Sequence, residues 1–407
     1  MLAPAGDLEK LIIAIDYGAD AVYFGGEGFS LRASAGNFGA EDMKAGIKYA
    51  HERGKKCYLT LNIFPHNEDI APLTSYIDQI KELDIDAFIA TDPGVIELIK
   101  EIIPNAEIHL STQANMTNYQ TAKFWSKQGV KRIVLARELT ITEICKLNEE
   151  LDNIVELEAF VQGAMCISYS GRCLLSNFMV DRDANRGACA QPCRWKYSLV
   201  EEQRPGEYYP IEEDERGTYI LNSRDLCMIE HMPEVIEAGV SSAKIEGRMK
   251  SIFYVATVVS AYRKVIDAYY ENKEKFVFKP EWMSELRKVS HRDFTTGFYF
   301  NKPTSSGQNY QTCAYSREYS FVGIVKSYDE KTGYAMVEQR NKMIVGEEIE
   351  VFGPFTDYFT QTLTEMYDEA GKALDAAPHP QQLLKIKMDK PVGENFMIRK
   401  RDSRNLI

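Results

Sequence analysis

Short apolar runs alternate with helical patterns through the first 275 residues. The runs are LAPA (2–5), AVYFGG (21–26), CYLTLNI (57–63), AFIAT (87–91), EIHLS (107–111), RIVLA (132–136), VELEAF (155–160) and AKIEG (243–247). Between them apolar residues recur at helical spacing over 8–17, 42–53, 73–83, 94–103, 119–128 and 140–151. Gly18, Gly54 and Gly129 stand just before the next run, where a helix C-terminus favours glycine. Alternation of this kind predicts βαβ units and a parallel sheet. Eight strands in about 250 residues is the size of a (β/α)8 TIM-like barrel. An open doubly wound sheet is the alternative, weakened because no GxGxxG follows the first strand. The Gly25–Gly26 pair is read as a tight turn at a strand end.

The rhythm breaks once, over about 164–220, with several cysteines and then an acidic, turn-rich stretch, EEQRPGEYYPIEEDERGTY. This is an insertion after strand seven, on the barrel face where active sites form. Residues 252–270 form a long amphipathic helix that closes the barrel, and 276–318 form a connector. From about 319 strand patterns take over: SFVGIVKSY, GYAMVEQR, EEIEVFG, FTQTLTEMY, LLKIKM and NFMIRKR. They predict a small C-terminal β-barrel domain over 319–407.

The 407 residues are 44% hydrophobic and 27% charged, ordinary for a soluble globular protein. No run approaches the roughly 18 apolar residues of a membrane span, and MLAPAGDLEKL lacks a secretory pattern. The expectation is a cytoplasmic protein. The net charge of −12 repels polyanions at long range, so nucleic-acid binding needs local basic patches. Two stand out: Arg182, Arg186, Arg194 and Lys196 beside the cysteines, and 385–404, with seven basic against three acidic residues. Trp195 and Phe178 are candidates to stack a base.

Five of eight cysteines fall within 62 residues: Cys166-x6-Cys173-x15-Cys189-x3-Cys193-x33-Cys227. Thiolates are the ligands that zinc and iron–sulfur clusters prefer. Paired CxxC knuckles, usual at zinc sites, are absent apart from the x3 near-match, which favours iron–sulfur without excluding zinc. Cys57, Cys145 and Cys313 are read as ordinary small core residues.

EAFVQGAMCISYSGRCLLS resembles the signature of peptidase family U32, through Glu158, Phe160, Gly163 to Cys166, Gly171, Cys173, Leu175 and Ser176. LAPAGDLEKL, DYGADAVYFGG, HLSTQ, NRGACAQPCRW, SAKIEGRMKS and DFTTGFY extend the resemblance over nearly the whole chain. Within that family the chain looks most like the bacterial tRNA hydroxylation proteins. The resemblance implies 5-hydroxyuridine formation at the tRNA wobble position, with prephenate supporting the reaction. It also implies a [4Fe–4S] cluster on Cys166, Cys173, Cys189 and Cys227, leaving Cys193 spare or beside the ligands. Expected partners are tRNA, a small dicarboxylate and a related subunit or second copy.

The family name offers a collagenase-like peptidase as the alternative, but the chain has no HExxH and no GxSxG. Of its six histidines only His109 sits at a strand end, where it could face the barrel mouth. A non-catalytic scaffold is the third reading. Residues just past barrel strands are the remaining candidates: Asn62, Asp92, Gln113, Arg137, Glu246 and Arg248. Arg137, Arg248 and Arg32 have the guanidinium geometry for a dicarboxylate, and Glu246 for acid–base work or for orienting an arginine.

Overall fold

A computed structural model describes residues 1–26, 29–30, 38–166, 168–195, 198–200, 208–210, 224–301 and 318–402. Eight parallel strands form the barrel: β1 (Leu2–Pro4), β2 (Ala21–Phe24), β3 (Lys56–Leu61), β4 (Ala87–Ala90), β5 (Ile108–Leu110), β6 (Val130–Val134), β7 (Glu156–Ala164) and β8 (Val240–Ile245). Each pairs with its sequence neighbour, and β8 pairs with both β7 and β1, with Lys244 opposite Leu2. That pairing closes the ring and excludes the open sheet.

Six helices follow β1 to β6 in turn: α1 (Leu8–Asp16), α2 (Ala40–His51), α3 (Asn67–Ile80), α4 (Pro93–Ile102), α5 (Tyr119–Lys127) and α6 (Ile141–Leu151). The helix-ending glycines have left-handed φ: 109° at Gly18, 65° at Gly54 and 79° at Gly129. α3 begins six residues before its apolar pattern. Asp69 accepts a 2.7 Å bond from the His66 backbone N–H, which starts the helix ahead of Pro72. Strand alternation sends Val22 and Phe24 outward to the helices, and Ala21 and Tyr23 inward.

The insertion leaves the end of β7 and carries a short helix, α7 (Leu175–Val180). The chain returns as Asp225–Cys227, antiparallel to the end of β7, with Cys227 opposite Gln162. Then come α8 (Met232–Glu237), β8 and α9 (Ile252–Glu271). The region expected as a connector carries a helix, α10 (Pro280–Arg287), and a short strand, Phe294–Thr295, parallel to Asp225–Cys227. Arg292 anchors this strap, with its Nη2 2.7 Å from the buried Asp225 carboxylate.

The C-terminal domain is an antiparallel sheet of seven strands around its own apolar core. Tyr319–Asp329 and Met397–Arg401 lie at its centre. It is fastened to the barrel by Arg399, fully buried, which binds Glu285 of α10 through both Nη atoms (2.8 and 3.0 Å) and Glu350 through Nε (2.7 Å).

Candidate active site

A cavity opens at the C-terminal ends of the barrel strands. Tyr23, Thr60, Ile89, Val134, Phe160 and Lys244 form its floor, from six of the eight strands. Asn62, Gln113, Arg137, Glu246 and Arg248, expected from their positions just past strands, all line its wall. Asp92 does not. It caps α4, its Oδ1 accepting from the backbone N–H of Gly94 (2.8 Å) and Val95 (3.2 Å). Arg32 lies outside the described residues.

Arg248 is almost wholly buried and donates from Nη1 to Ser30 Oγ (2.7 Å) and Thr60 Oγ1 (3.2 Å). Gly25 makes room for it: a Cβ there would lie 2.5 Å from Arg248 Nη1. The Gly25–Gly26 pair was expected as a tight turn, and the residues that would complete it, 27–28, lie outside the described ones. Neither residue has left-handed φ, and both provide close approach, Gly26 to the Tyr76 hydroxyl. Arg137 donates from Nη1 to the Ala164 carbonyl (3.0 Å), and its guanidinium lies 4.0 Å over the Phe160 ring. The Tyr23 hydroxyl is 3.4 Å from Glu246 Oε2.

Beneath the cavity the barrel interior carries charge instead of the usual layers of branched apolar side chains. Lys244 Nζ lies 2.8 Å from Glu158 Oε1, 4.5 Å over the Tyr23 ring and 5.5 Å over Phe160. Glu158 Oε2 accepts from Ser242 Oγ (2.8 Å), with Arg132 Nη1 at 3.6 Å. Burial pushes the Glu158 carboxyl up; attraction to Lys244 foremost outweighs it, so its pKa lies below the ordinary value. Lys244 is a site residue that strand-end reasoning misses. The available signal was charge at inward positions of two strands that are otherwise apolar, VELEAF and AKIEG.

The insertion closes the cavity from above. Cys166, Cys173, Cys189 and Cys193 all line it. Arg137 Nη1 stands 4.0 Å from Cys166 Sγ, and Cys189 Sγ accepts from the Gln191 backbone N–H at 3.4 Å. In kind, these donors fit a thiolate-held centre. They are not gathered: among the described residues no three His, Cys, Asp or Glu side chains are placed to share a metal ion. Cys227, the fourth ligand implied by the resemblance, is not in the cavity wall. It is buried under α9 with the Tyr262 hydroxyl beside it, and burial pushes its thiol up to about 12. Cys193, expected to be spare, lines the wall.

His109 does not reach the mouth. It is fully buried on β5, with Nε2 2.8 Å from Glu107 Oε1 and its ring edge-on to Tyr58. No histidine is among the described residues lining the cavity. Around the rim, Phe178 is 87% exposed, Leu174 72% and Trp195 43%. Arg182 is exposed, whereas Arg186 is held by Asp69 (2.9 Å) and Glu68 (3.8 Å). Lys196 and Arg404 lie outside the described residues. The basic tail is partly structural, since Arg399 is buried and Lys400 pairs with Glu347 at 2.7 Å.

Residues 6–309 match the Peptidase family U32 domain, and residues 317–399 match the Peptidase family U32 C-terminal domain. The chain belongs to peptidase family U32. Among its U32 relatives, the tRNA hydroxylation protein P1 of Bacillus subtilis (strain 168) is 46% identical over 98% of this chain and 94% of its own length. The tRNA hydroxylation protein P of Escherichia coli (strain K12) is 37% identical, covering 93% and 91%. A protein of Porphyromonas gingivalis (strain ATCC BAA-308 / W83) named collagenase is 35% identical, covering 90% and 89%. Among the described residues no helix is long and apolar enough to cross a membrane.

Proposed function

We propose that this U32 protein is an RNA-modifying enzyme that hydroxylates a tRNA uridine to 5-hydroxyuridine, with prephenate as a supporting small acid. The observation that carries the reading is a single cavity walled on one side by polar strand-end residues and on the other by four thiols. Similarity to the tRNA hydroxylation proteins over almost the full chain supports it. Exposed Phe178 and Trp195 offer stacking faces to unpaired bases at the rim, and Arg182 offers a phosphate contact.

We assign an iron–sulfur cluster to the thiolates of Cys166, Cys173, Cys189 and Cys227, with Cys193, in the cavity wall, left spare. When bound, the cluster would supply one-electron redox chemistry. The chain's own Arg137 and Arg248 orient anionic groups, and Glu246, in the cavity wall, is placed to hold or release a proton.

The peptidase reading rests on the collagenase relative. A thiol protease needs a histidine beside its cysteine, and none of the described cavity residues is one. Gelatin cleavage by anaerobically purified protein, lost on changing one cavity cysteine, would favour that reading. The hydroxylation reading is tested by nucleoside analysis of tRNA from cells with and without the gene. Loss of 5-hydroxyuridine is expected; an unchanged level in cells without a paralogue contradicts it.

A further inference from the structure

Of the charged side chains inside the barrel, Lys244 lines the cavity floor, whereas Glu158 and Arg132 do not. A lysine ammonium carries three N–H donors and no acceptor. Among the described residues Nζ finds one hydrogen-bond acceptor, Glu158 Oε1 at 2.8 Å. The Tyr23 ring at 4.5 Å and the Phe160 ring at 5.5 Å flank it. Ring faces attract the charge without replacing an oxygen acceptor. The residue is 4% exposed, so bulk water does not surround the ammonium. Buried donors are normally paired, because leaving one bare is destabilising.

Stability does not explain the arrangement. A buried ion pair adds little over apolar side chains of similar size, and barrel interiors are ordinarily filled with those. Glu158 is the saturated member of the column. Its Oε1 accepts from Lys244 and its Oε2 from Ser242 Oγ at 2.8 Å, with Arg132 Nη1 at 3.6 Å. Arg132 is held in turn by Glu156 Oε2 at 2.6 Å. The column thus fixes one ammonium between two floor rings, with donors to spare. Its charge is already balanced by Glu158. A carboxylate arriving there would set a second negative charge beside the buried one, whereas a neutral carbonyl oxygen completes the ammonium's bonds without adding charge. The cavity measures about 140 Å³, below the roughly 300 Å³ at which pockets for drug-sized ligands begin. That suits a single base drawn out of the stack, as enzymes that do chemistry on a base require.

We propose that Lys244 is a substrate-contacting residue of the cavity floor, its ammonium donating to a carbonyl oxygen of the uracil ring, with Glu158 as the residue that positions it. That the oxygen belongs to uracil rests on the hydroxylation reading; the donor does not.

Removing Lys244 alone strands Glu158, so the test removes the pair. Lys244→Met combined with Glu158→Gln takes away both charges, keeps an acceptor for Ser242 Oγ and leaves Arg132 with Glu156. The double variant should keep the melting temperature and iron content of the unaltered protein, because the pair adds little net stability. In cells lacking the gene and any paralogue it should restore about tenfold less tRNA 5-hydroxyuridine, or lower, at equal expression. A crystal structure of the ligand-free, full-length protein is the second arm. It should show an ordered water oxygen about 2.7–3.2 Å from Nζ on the cavity side, in the place a substrate oxygen takes. Equal restoration by the double variant overturns the proposal, and so does an Nζ with no oxygen neighbour except Glu158. If the double variant does not fold, the crystallographic result decides alone. If the unaltered protein itself restores no 5-hydroxyuridine, the hydroxylation reading fails and the uracil with it, while the water oxygen still upholds the donor.

Discussion

Lys244, in the cavity floor, and Glu158 face each other across β8 and β7 at 2.8 Å, with side chains 5% and 0% exposed. A buried pair adds little net stability, but removing one partner strands the other's charge. Lys244→Met or Glu158→Gln should therefore destabilise the fold by roughly 3–5 kcal/mol, read by urea unfolding at neutral pH. The pH dependence has a definite sign. The folded pKa of Glu158 is lowered, so its contribution is complete above the ordinary glutamate value of about 4.3 and is lost as pH falls through the lowered one. Glu158→Gln should therefore cost most at neutral pH and progressively less as the medium is acidified below that range.

The cysteines should divide into two groups. Replacing Cys166, Cys173, Cys189 or Cys227 with Ser should lower iron and sulfide in anaerobically purified protein, while Cys193→Ser should leave the metal content unchanged. Cys57, with its thiol raised to about 12 by burial, should resist iodoacetamide in the folded protein at pH 8, because the thiolate is the nucleophile. Labelling followed by peptide mass spectrometry checks this. Undiminished iron on Cys227→Ser would contradict the ligand set that the sequence resemblance implies.

Gly25→Ala tests how Arg248 is seated. Its new Cβ would fall 2.4 Å from Ser30 Oγ and 2.5 Å from Arg248 Nη1, so the guanidinium must move. Product formation should drop at least tenfold, about 1.4 kcal/mol, while circular dichroism is unchanged. Undiminished activity would show that Arg248 is not held for function.

Arg399 should govern the coupling of the two domains. It binds Glu285 on the barrel side and Glu350 in its own sheet, and it is fully buried. Arg399→Met leaves both carboxylates without that guanidinium and should cost roughly 3–5 kcal/mol. Calorimetry should show one thermal transition for the unaltered protein and a split or broadened one for the variant.

The barrel was legible because its signal is periodic. Eight apolar runs mark eight strands, and glycines such as Gly54 mark where helices stop. The wall of the cavity followed from position, since side chains just past parallel strands meet at one end. What escaped depends on contacts distant in sequence. Asp92 looks like Gln113 by position, and only the turn that follows it makes it a helix cap. Gly25 and Gly26 carry the composition of a turn, while their purpose lies with Arg248 and Tyr76. Spacing could not place Cys227, because the return strand paired with the end of β7 decides where its thiol sits.

Complementation with a site variant joins cavity and reaction in one measurement. In cells lacking the gene and any paralogue, the unaltered protein should restore tRNA 5-hydroxyuridine, whereas Cys173→Ser, expressed to the same level, should not. Equal restoration by both, or by neither, would contradict the assignment of this cavity to tRNA hydroxylation.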